Sequence, residues 1–231
     1  MKPQEFMPHD FWQEAAPPGT FDDSGEFSTF YPARFADGRQ LCLPLRPLPD
    51  GKHAVASLIV NQASFGVLDA LAEALAAELA PFAPDVVVGV PTLGLALAPV
   101  VARKLGHLRY VPLGTSRKFW YLEDLSVPLS SITTPHQQKR LYVDPRMLPL
   151  LENRRVVVVD DVISSGASMV AALTLMTGSG VAPVGIGVAM LQTDRWRRKL
   201  GSLGEQWPAL VSGVLHTPLF ERAPSGLWRP A

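Results

Sequence analysis

Two stretches of the chain are apolar without alternation, and the rest of the pattern arranges itself around them. Val156 to Val159 is an unbroken valine run, and Val86, Val87, Val88, Gly89 and Val90 form a second. Runs of β-branched residues with no polar alternation suit strands buried on both faces, as in a parallel sheet with helices on each side. Each run passes through a short turn into a helical pattern, Leu95 to Leu105 after the first and Met169, Val170, Leu173 and Met176 after the second. Gly178 and Gly180 stop the second helix. Upstream, Ser64 is placed to cap a helix whose apolar face is Val67, Leu68, Leu71, Leu75 and Leu79. His107 to Leu113 and Ala182 to Leu191 supply two further strands. Strands alternating with helices imply right-handed crossovers and an α/β, doubly wound parallel sheet, with ligands beyond the C-terminal ends of the strands.

The flanks carry other patterns. Residues 1–28 are rich in Pro, Phe and acids with no period, which reads as an extended arm pinned by Phe6, Phe11, Trp12 and Phe21. Asp37-Gly38 between two short apolar runs is a strong hairpin signal, and Asp50-Gly51 ahead of Ala54 to Val60 implies another strand. From Phe119 to Arg140 no helical period appears, and so long a segment in a compact domain is usually functional. Val127 to Thr134 and Lys139 to Val143 are expected to pair as a hairpin, with His136 at its tip. The chain thus divides into an arm and hairpin region at 1–60, a core at 61–191 with a flexible loop at about 115–142, and a C-terminal segment at 192–231.

Composition narrows the classes. The 231 residues are 47% hydrophobic, and 21 basic residues balance 21 acidic ones, so neither a nucleic-acid-coating surface nor a polybasic membrane anchor is expected. No apolar run approaches the roughly 20 residues needed to span a bilayer. The N-terminal residues, with Glu5, His9, Asp10 and Glu14, do not resemble a secretory signal. The single Cys42 fits a reducing cytoplasm and, between Leu41 and Leu43, reads as a buried small hydrophobe. The cluster Arg195, Arg197, Arg198 and Lys199 reads as a solvated helix face.

The chemistry concentrates where the valine run ends. Asp160 and Asp161 follow it, and then Val162, Ile163, Ser164, Ser165, Gly166, Ala167 and Ser168 lead into the helix. The first turn of a helix leaves N–H groups unpaired and favours negative charge, and the serines add hydroxyl donors. Acids beside such an anion cradle make sense if a phosphorylated sugar lies between them, its phosphate in the turn and its hydroxyls donating to the carboxylates. The other strand-to-helix turn spans Gly89 to Gly94, the glycine spacing of a nucleotide-triphosphate loop. Leu95 and Ala96 stand where that motif needs Lys and Ser/Thr, so the reading fails.

A hydrophobic strand, two acids and a Ser-Ser-Gly-x-Ser loop in one register resembles the signature of the type I phosphoribosyltransferases, and the layout is most similar to the adenine and related purine enzymes. The resemblance covers Asp85 to Leu191. It implies transfer of 5-phosphoribose from phosphoribosyl pyrophosphate to a nitrogenous base, a purine, with release of pyrophosphate. It further implies Mg2+ near Asp160 and Asp161 rather than a direct protein metal site, a cytoplasmic homodimer, and no nucleic-acid or membrane partner. Asp160 and Asp161 would hold the ribose diol, residues Ser164 to Ser168 the 5′-phosphate, and the backbone of Pro91, Thr92, Leu93 and Gly94 the pyrophosphate. Arg117 and Lys118, after the next strand, and Lys139 with Arg140, on a mobile lid, would bring charge to the leaving group. The lid motif of the purine enzymes is not clearly reproduced, with Glu123 and Asp124 as the nearest acids. Segments outside the core would form a hood over the base, its aromatics either stacking on that base or filling the hood's own core. An alternative is a non-catalytic sensor of phosphoribosyl pyrophosphate resembling the purine repressors, but their winged helix has no counterpart among residues 1–60. A non-catalytic interaction protein would predict a degraded motif, and this one is complete.

Overall fold

The computed structural model describes residues 6–129 and 139–231. In chain order the strands and helices are β1 (Phe30–Arg34), β2 (Gln40–Pro47), β3 (His53–Ala56), α1 (Phe65–Leu79), β4 (Val86–Gly89), α2 (Gly94–Lys104) and β5 (Val111–Pro112). They continue with β6 (Ser126–Leu129), β7 (Lys139–Tyr142), β8 (Val156–Ile163), α3 (Ala167–Gly178), β9 (Gly185–Gln192), α4 (Arg195–Leu203), β10 (Val211–Thr217), β11 (Leu219–Arg222) and β12 (Trp228–Pro230).

The core is the expected doubly wound parallel sheet, in the order β10-β9-β8-β4-β5. The valine run lies at its centre, paired with β4 from Val86↔Val156 to Gly89↔Val159 and with β9 on its other side. All four valines are fully buried. Side chains alternate across a strand, so Val157 and Val159 enter the cluster formed with α1 and α2 while Val156 and Val158 enter the one formed with α3 and α4. Both faces are covered, which is why the sequence shows no polar alternation there. Ser64 caps α1 as its spacing suggests, its Oγ accepting from the Val67 N–H at 3.1 Å.

The edges of this sheet depart from expectation. Of His107 to Leu113 only Val111 and Pro112 are strand, and Leu108, ahead of them, is fully exposed. Residues 211–217, expected in the C-terminal segment outside the core, form β10 and pair in parallel with β9. An edge strand is only partly covered, so Val211-Ser212-Gly213-Val214-Leu215 carries no continuous apolar signal. At the other boundary β3 stops at Ala56, and a short 3-10 turn at Val60–Gln62 leads to α1.

A second, antiparallel sheet joins the two chain ends in the order β1-β2-β3-β11-β12. This is the hood, built from N- and C-terminal segments. Its aromatics fill its own interior: Phe27, Tyr31 and Phe220 pack edge to face at 5.2–6.0 Å. The arm is pinned by Phe6, Phe11, Phe21 and Phe30, by Trp12 Nε1 donating to Ser57 O at 3.0 Å, and by buried Gln40, which bonds both the N–H and the carbonyl of Phe21. Strands β6 and β7 form the separate hairpin expected near 127–143, its base packed through Val127, Leu129 and Leu141 on the α3 side of the core. The expected tip, with His136, lies outside the described residues. No helix among the described residues is long and apolar enough to cross a membrane.

Candidate functional site

The two acids do not close β8 as expected. The strand runs on to Ile163, because Val162 and Ile163 pair with Met190 and Leu191 of β9. Asp160 and Asp161 are therefore held by sheet backbone, with Asp160 only 6% exposed. Asp160 Oδ1 accepts from the Asp161 N–H at 2.9 Å. Burial, then the charge of Asp161, pushes the Asp160 carboxyl well above the ordinary carboxylate range. Burial also raises Asp161. No basic side chain among the described residues forms an ion pair with either acid, so among these residues the two carboxyl groups have no cationic partner.

Beyond the acids the chain turns sharply. Gly166, with φ of 81°, occupies the left-handed region that disfavours side chains, and it caps α3. Ser165 Oγ accepts from the Ala167 N–H at 3.4 Å. Asp160 and the turn from Val162 to Met169 line a cavity of about 110 Å³ at the start of α3. Helix α4 backs this turn so closely that a Cβ on Gly166 would stand 2.9 Å from Leu200 Cδ1 and 3.3 Å from Trp196 Cβ. From the first residue of α4, Arg195 reaches back to place Nη2 3.5 Å from Ser164 Oγ. Arg195 stood in the sequence as one of four basic residues on a solvated face. Only the burial of Trp196 and Leu200 against the turn distinguishes it, and that depends on tertiary packing.

The turn after β4 approaches from the other side. The Pro91–Thr92 peptide is cis, and the Val90 N–H donates to Val159 O at 2.9 Å. Gly94 opens α2 against the acids: a Cβ there would meet Asp160 Oδ1 at 2.7 Å, Asp160 Cα at 2.8 Å and Val159 O at 3.1 Å. The structure thus brings together Asp160, Asp161, the 164–168 turn and the 91–94 turn.

A family model described as the phosphoribosyl transferase domain matches residues 55–203. The chain belongs to this phosphoribosyltransferase family. Two curated relatives are bacterial proteins named bifunctional protein PyrR. One, from Deinococcus deserti, is 34% identical over 141 residues, which cover 58% of this chain and 71% of the relative. The other, from Lactiplantibacillus plantarum, is 32% identical over 117 residues, and the match spans 50% of this chain and 61% of the relative. Among solved structures, the adenine phosphoribosyltransferase of Giardia lamblia complexed with 9-deazaadenine superposes with a TM-score of 0.58 at 22% identity, covering 75% of this chain and 93% of that one. The enzyme from Thermoanaerobacter pseudethanolicus gives 0.58 at 18% identity, covering 75% and 95%. These likenesses carry the fold: a type I phosphoribosyltransferase core with its hood.

The expected basic residues stand apart from the acids. Arg117 Nη1 lies 3.4 Å from Glu123 Oε2, and Arg140 Nε lies 3.2 Å from Glu123 Oε1, so one carboxylate holds both. Arg140 also donates to Ser126 Oγ at 2.8 Å. Lys118 and Lys139 are exposed, Lys139 at the start of β7. A wider cavity of about 650 Å³ opens where core meets hood, lined by Thr193, Asp194 and Arg195, by His216 and Thr217 at the end of β10, and by Leu219 of β11. A further cavity of about 410 Å³ lies under the arm, beside Asp10, Glu14 and Cys42, with no basic residue in its lining. Burial pushes the Cys42 thiol up to about 12, so it packs as a small hydrophobe rather than acting as a nucleophile.

Proposed function

We propose that the protein transfers 5-phosphoribose from phosphoribosyl pyrophosphate to a nitrogenous base, a purine, releasing pyrophosphate. The observation that carries this reading is the meeting of three elements at one carboxylate: Asp160 borders the serine-lined cavity and touches Gly94 of the opposite turn. A sugar with phosphate at one end and diphosphate at the other matches that spacing of donors and acids. Its 5′-phosphate would take the N–H groups and hydroxyls of residues 164–168, where the α3 dipole favours an anion. Its ring hydroxyls would donate to Asp160 and Asp161, which pair with no cation among the described residues. Its diphosphate would lie along Pro91 to Gly94, with Arg117, Lys118 and Lys139 as the charged groups that approach when the β6–β7 hairpin closes. Bond breaking gathers negative charge on the departing diphosphate and positive charge on the sugar. Donors at one end and acids near the ring therefore stabilise the transition state more than the ground state. Closure also keeps water from the sugar cation.

The donor set suits Mg2+. Two carboxylates with no third ligating acid, His or Cys among the described residues is too few for an all-protein metal cage. It fits an ion that keeps waters and rides on substrate oxygens. Bound that way beside Asp160 and Asp161, Mg2+ would neutralise the diphosphate. The acceptor base is assigned to the 650 Å³ cavity between core and hood. The adenine phosphoribosyltransferase neighbours support a purine, and a cytoplasmic homodimer belongs to the same reading.

A panel of bases mixed with Mg2+ and phosphoribosyl pyrophosphate tests it, with pyrophosphate release as the readout. Release with one purine is the expected result; tight binding without release for any base overturns the enzyme. That outcome would leave the second reading, a sensor of phosphoribosyl pyrophosphate. It is favoured by the hold of Glu123 on Arg117 and Arg140, which keeps two candidate leaving-group cations engaged elsewhere.

A further inference from the structure

The 164–168 turn is made of backbone amides and neutral hydroxyls, yet one cation leans on it from a different element. Arg195 extends from the first residue of α4, and its Nη2 lies 3.5 Å from Ser164 Oγ. Its Nε and its own backbone N–H both lie 3.4 Å from Thr193 Oγ1, which steadies the base of the side chain. The acid beside it, Asp194, is taken by Arg197 at 2.9 Å, and Arg197 in turn stacks on Trp196 at 4.6 Å. Among the described residues no carboxylate pairs with Arg195. The side chain is exposed, and its long contacts leave its charge unanswered. Its placement does not drift with a loose helix. Trp196 and Leu200 of α4 are buried at 1% and 0% exposure, and they stand against Gly166. The arginine and the turn are thus parts of one packed unit.

We infer that Arg195 is a phosphate-binding residue, supplying from α4 the positive charge that the serine turn lacks and gripping the 5′-phosphate of the sugar substrate from the side facing the hood. This deepens the reading given under Proposed function and rests on it. The chemistry is direct. A phosphate seated among the amides at the start of α3 presents an oxygen toward Ser164, and a planar guanidinium at that hydroxyl can bond the same oxygen or a second one in a charge-assisted pair. The neighbours Arg198 and Lys199 lie on the exposed surface of α4, and among the described residues neither side chain bonds the turn, so the effect is assigned to one position.

Calorimetric titration of the whole chain with Mg2+ present tests this, using phosphoribosyl pyrophosphate, ribose 5-phosphate and inorganic pyrophosphate as probes. Arg195→Ala is expected to weaken phosphoribosyl pyrophosphate and ribose 5-phosphate by about tenfold or more, the scale of one charge-assisted hydrogen bond. Pyrophosphate, which needs only the other turn, should change by less than about twofold. Arg195→Lys keeps the charge without the planar fork and should recover part of the loss, and Arg198→Ala should match wild type. If Arg195→Ala binds ribose 5-phosphate as wild type does, the inference falls and the parent reading stands. An equal loss for pyrophosphate would make Arg195 a general structural prop and also overturns it. Should wild type bind neither sugar phosphate, the parent reading falls and takes this inference with it.

Discussion

Two turns leave the central sheet for a helix, one after β4 and one after β8, and they carry their chemistry in different parts of the chain. The 164–168 turn presents side chains: three serines at its rim, with Gly166 at φ of 81° letting the backbone fold behind them. The 91–94 turn presents backbone, its single polar side chain, Thr92, pointing into solvent. Yet the backbone turn is fitted more tightly, because a Cβ at Gly94 would meet main-chain atoms of Asp160 and Val159 at 2.8 and 3.1 Å, whereas at Gly166 the nearest atom is the tip of Leu200 and the nearest main-chain atom, Trp196 Cα, lies at 3.4 Å. A turn rich in recognisable side chains can tolerate some displacement of its neighbours. A turn that works through its amides depends on where its backbone sits. Substitutions on either side of the site separate these two designs.

The largest effect belongs to the acids that both turns face. Asp161→Asn is expected to lower turnover by about a hundredfold, roughly 2.7 kcal/mol of barrier, by removing charge beside the developing sugar cation. Pyrophosphate release with the preferred base measures it. Turnover within threefold of wild type would mean that the acids serve the sheet and not the sugar.

The glycines come next and compare the turns directly. Gly94→Ala puts a Cβ 2.7 Å from Asp160 Oδ1 and 2.8 Å from Asp160 Cα. Backbone of the central strand would have to move, at a cost of about 2–3 kcal/mol. Gly166→Ala meets a positive φ and a Leu200 methyl at 2.9 Å. The methyl can rotate away, and Trp196 Cβ at 3.3 Å and Cα at 3.4 Å have to give only slightly, leaving about 1–2 kcal/mol, mostly from the backbone. Denaturant unfolding gives both numbers, and the reverse order would show that the 91–94 turn yields more readily than its contacts indicate.

This asymmetry also explains how much of the protein could be read from its sequence. The valine runs, the Ser64 cap and the Asp-Gly hairpins announce buried strands, a helix start and turns through side-chain chemistry, and each stands where expected. The acid and serine motif is equally legible, since its side chains line the cavity at the start of α3, although β8 runs two residues past the acids. The 91–94 turn was placed by its position after a strand, while its contact with Asp160 could not be seen, because closeness of backbone to backbone leaves only a glycine in the sequence. Strand β10 was hidden for a related reason: at the sheet edge it needs few buried side chains, and Leu215 and Thr217 are its only fully buried ones. Arg195 has the composition of a surface residue, and its importance comes from α4 packing on Gly166. Long-range placement of ordinary residues is the part that local pattern does not carry.

Protonation offers a smaller effect of opposite sign to the loss of turnover. Asp160 has a folded-state pKa raised above the ordinary 3.8 by burial and by Asp161. The folded protein keeps this proton in a pH range where the unfolded chain has released it. Stability from this group is therefore present in full below the unfolded value and is lost as pH rises through the folded one. Asn at 160 retains the oxygen that accepts from the Asp161 N–H and cannot ionise. Asp160→Asn should thus be more stable than wild type at pH 7.5, with the gap shrinking toward pH 4. Melting curves across that range check it, and a pH-independent gap would remove ionisation as the cause. A site that costs stability in the free protein is one that a ligand cation or hydroxyl pair can stabilise.

The smallest effects sharpen the comparison most, because they touch one side chain in each turn and leave the backbone alone. Ser165 Oγ makes only a long 3.4 Å contact with the Ala167 N–H, so Ser165→Ala should cost no more than about 0.5 kcal/mol of stability. It should nevertheless weaken ribose 5-phosphate about fivefold, through loss of one hydroxyl donor to an anion. Thr92 is exposed, and among the described residues its side chain makes no hydrogen bond. Thr92→Ala should leave both stability and pyrophosphate affinity within about twofold of wild type, since the proposed function seats the diphosphate on main-chain amides. Titration of the two variants with the two half-ligands gives four affinities, and only the pairing of Ser165 with ribose 5-phosphate should move. A loss of pyrophosphate affinity in Thr92→Ala would show that the 91–94 turn also works through its side chain. The division between a side-chain turn and a backbone turn would then have to be abandoned.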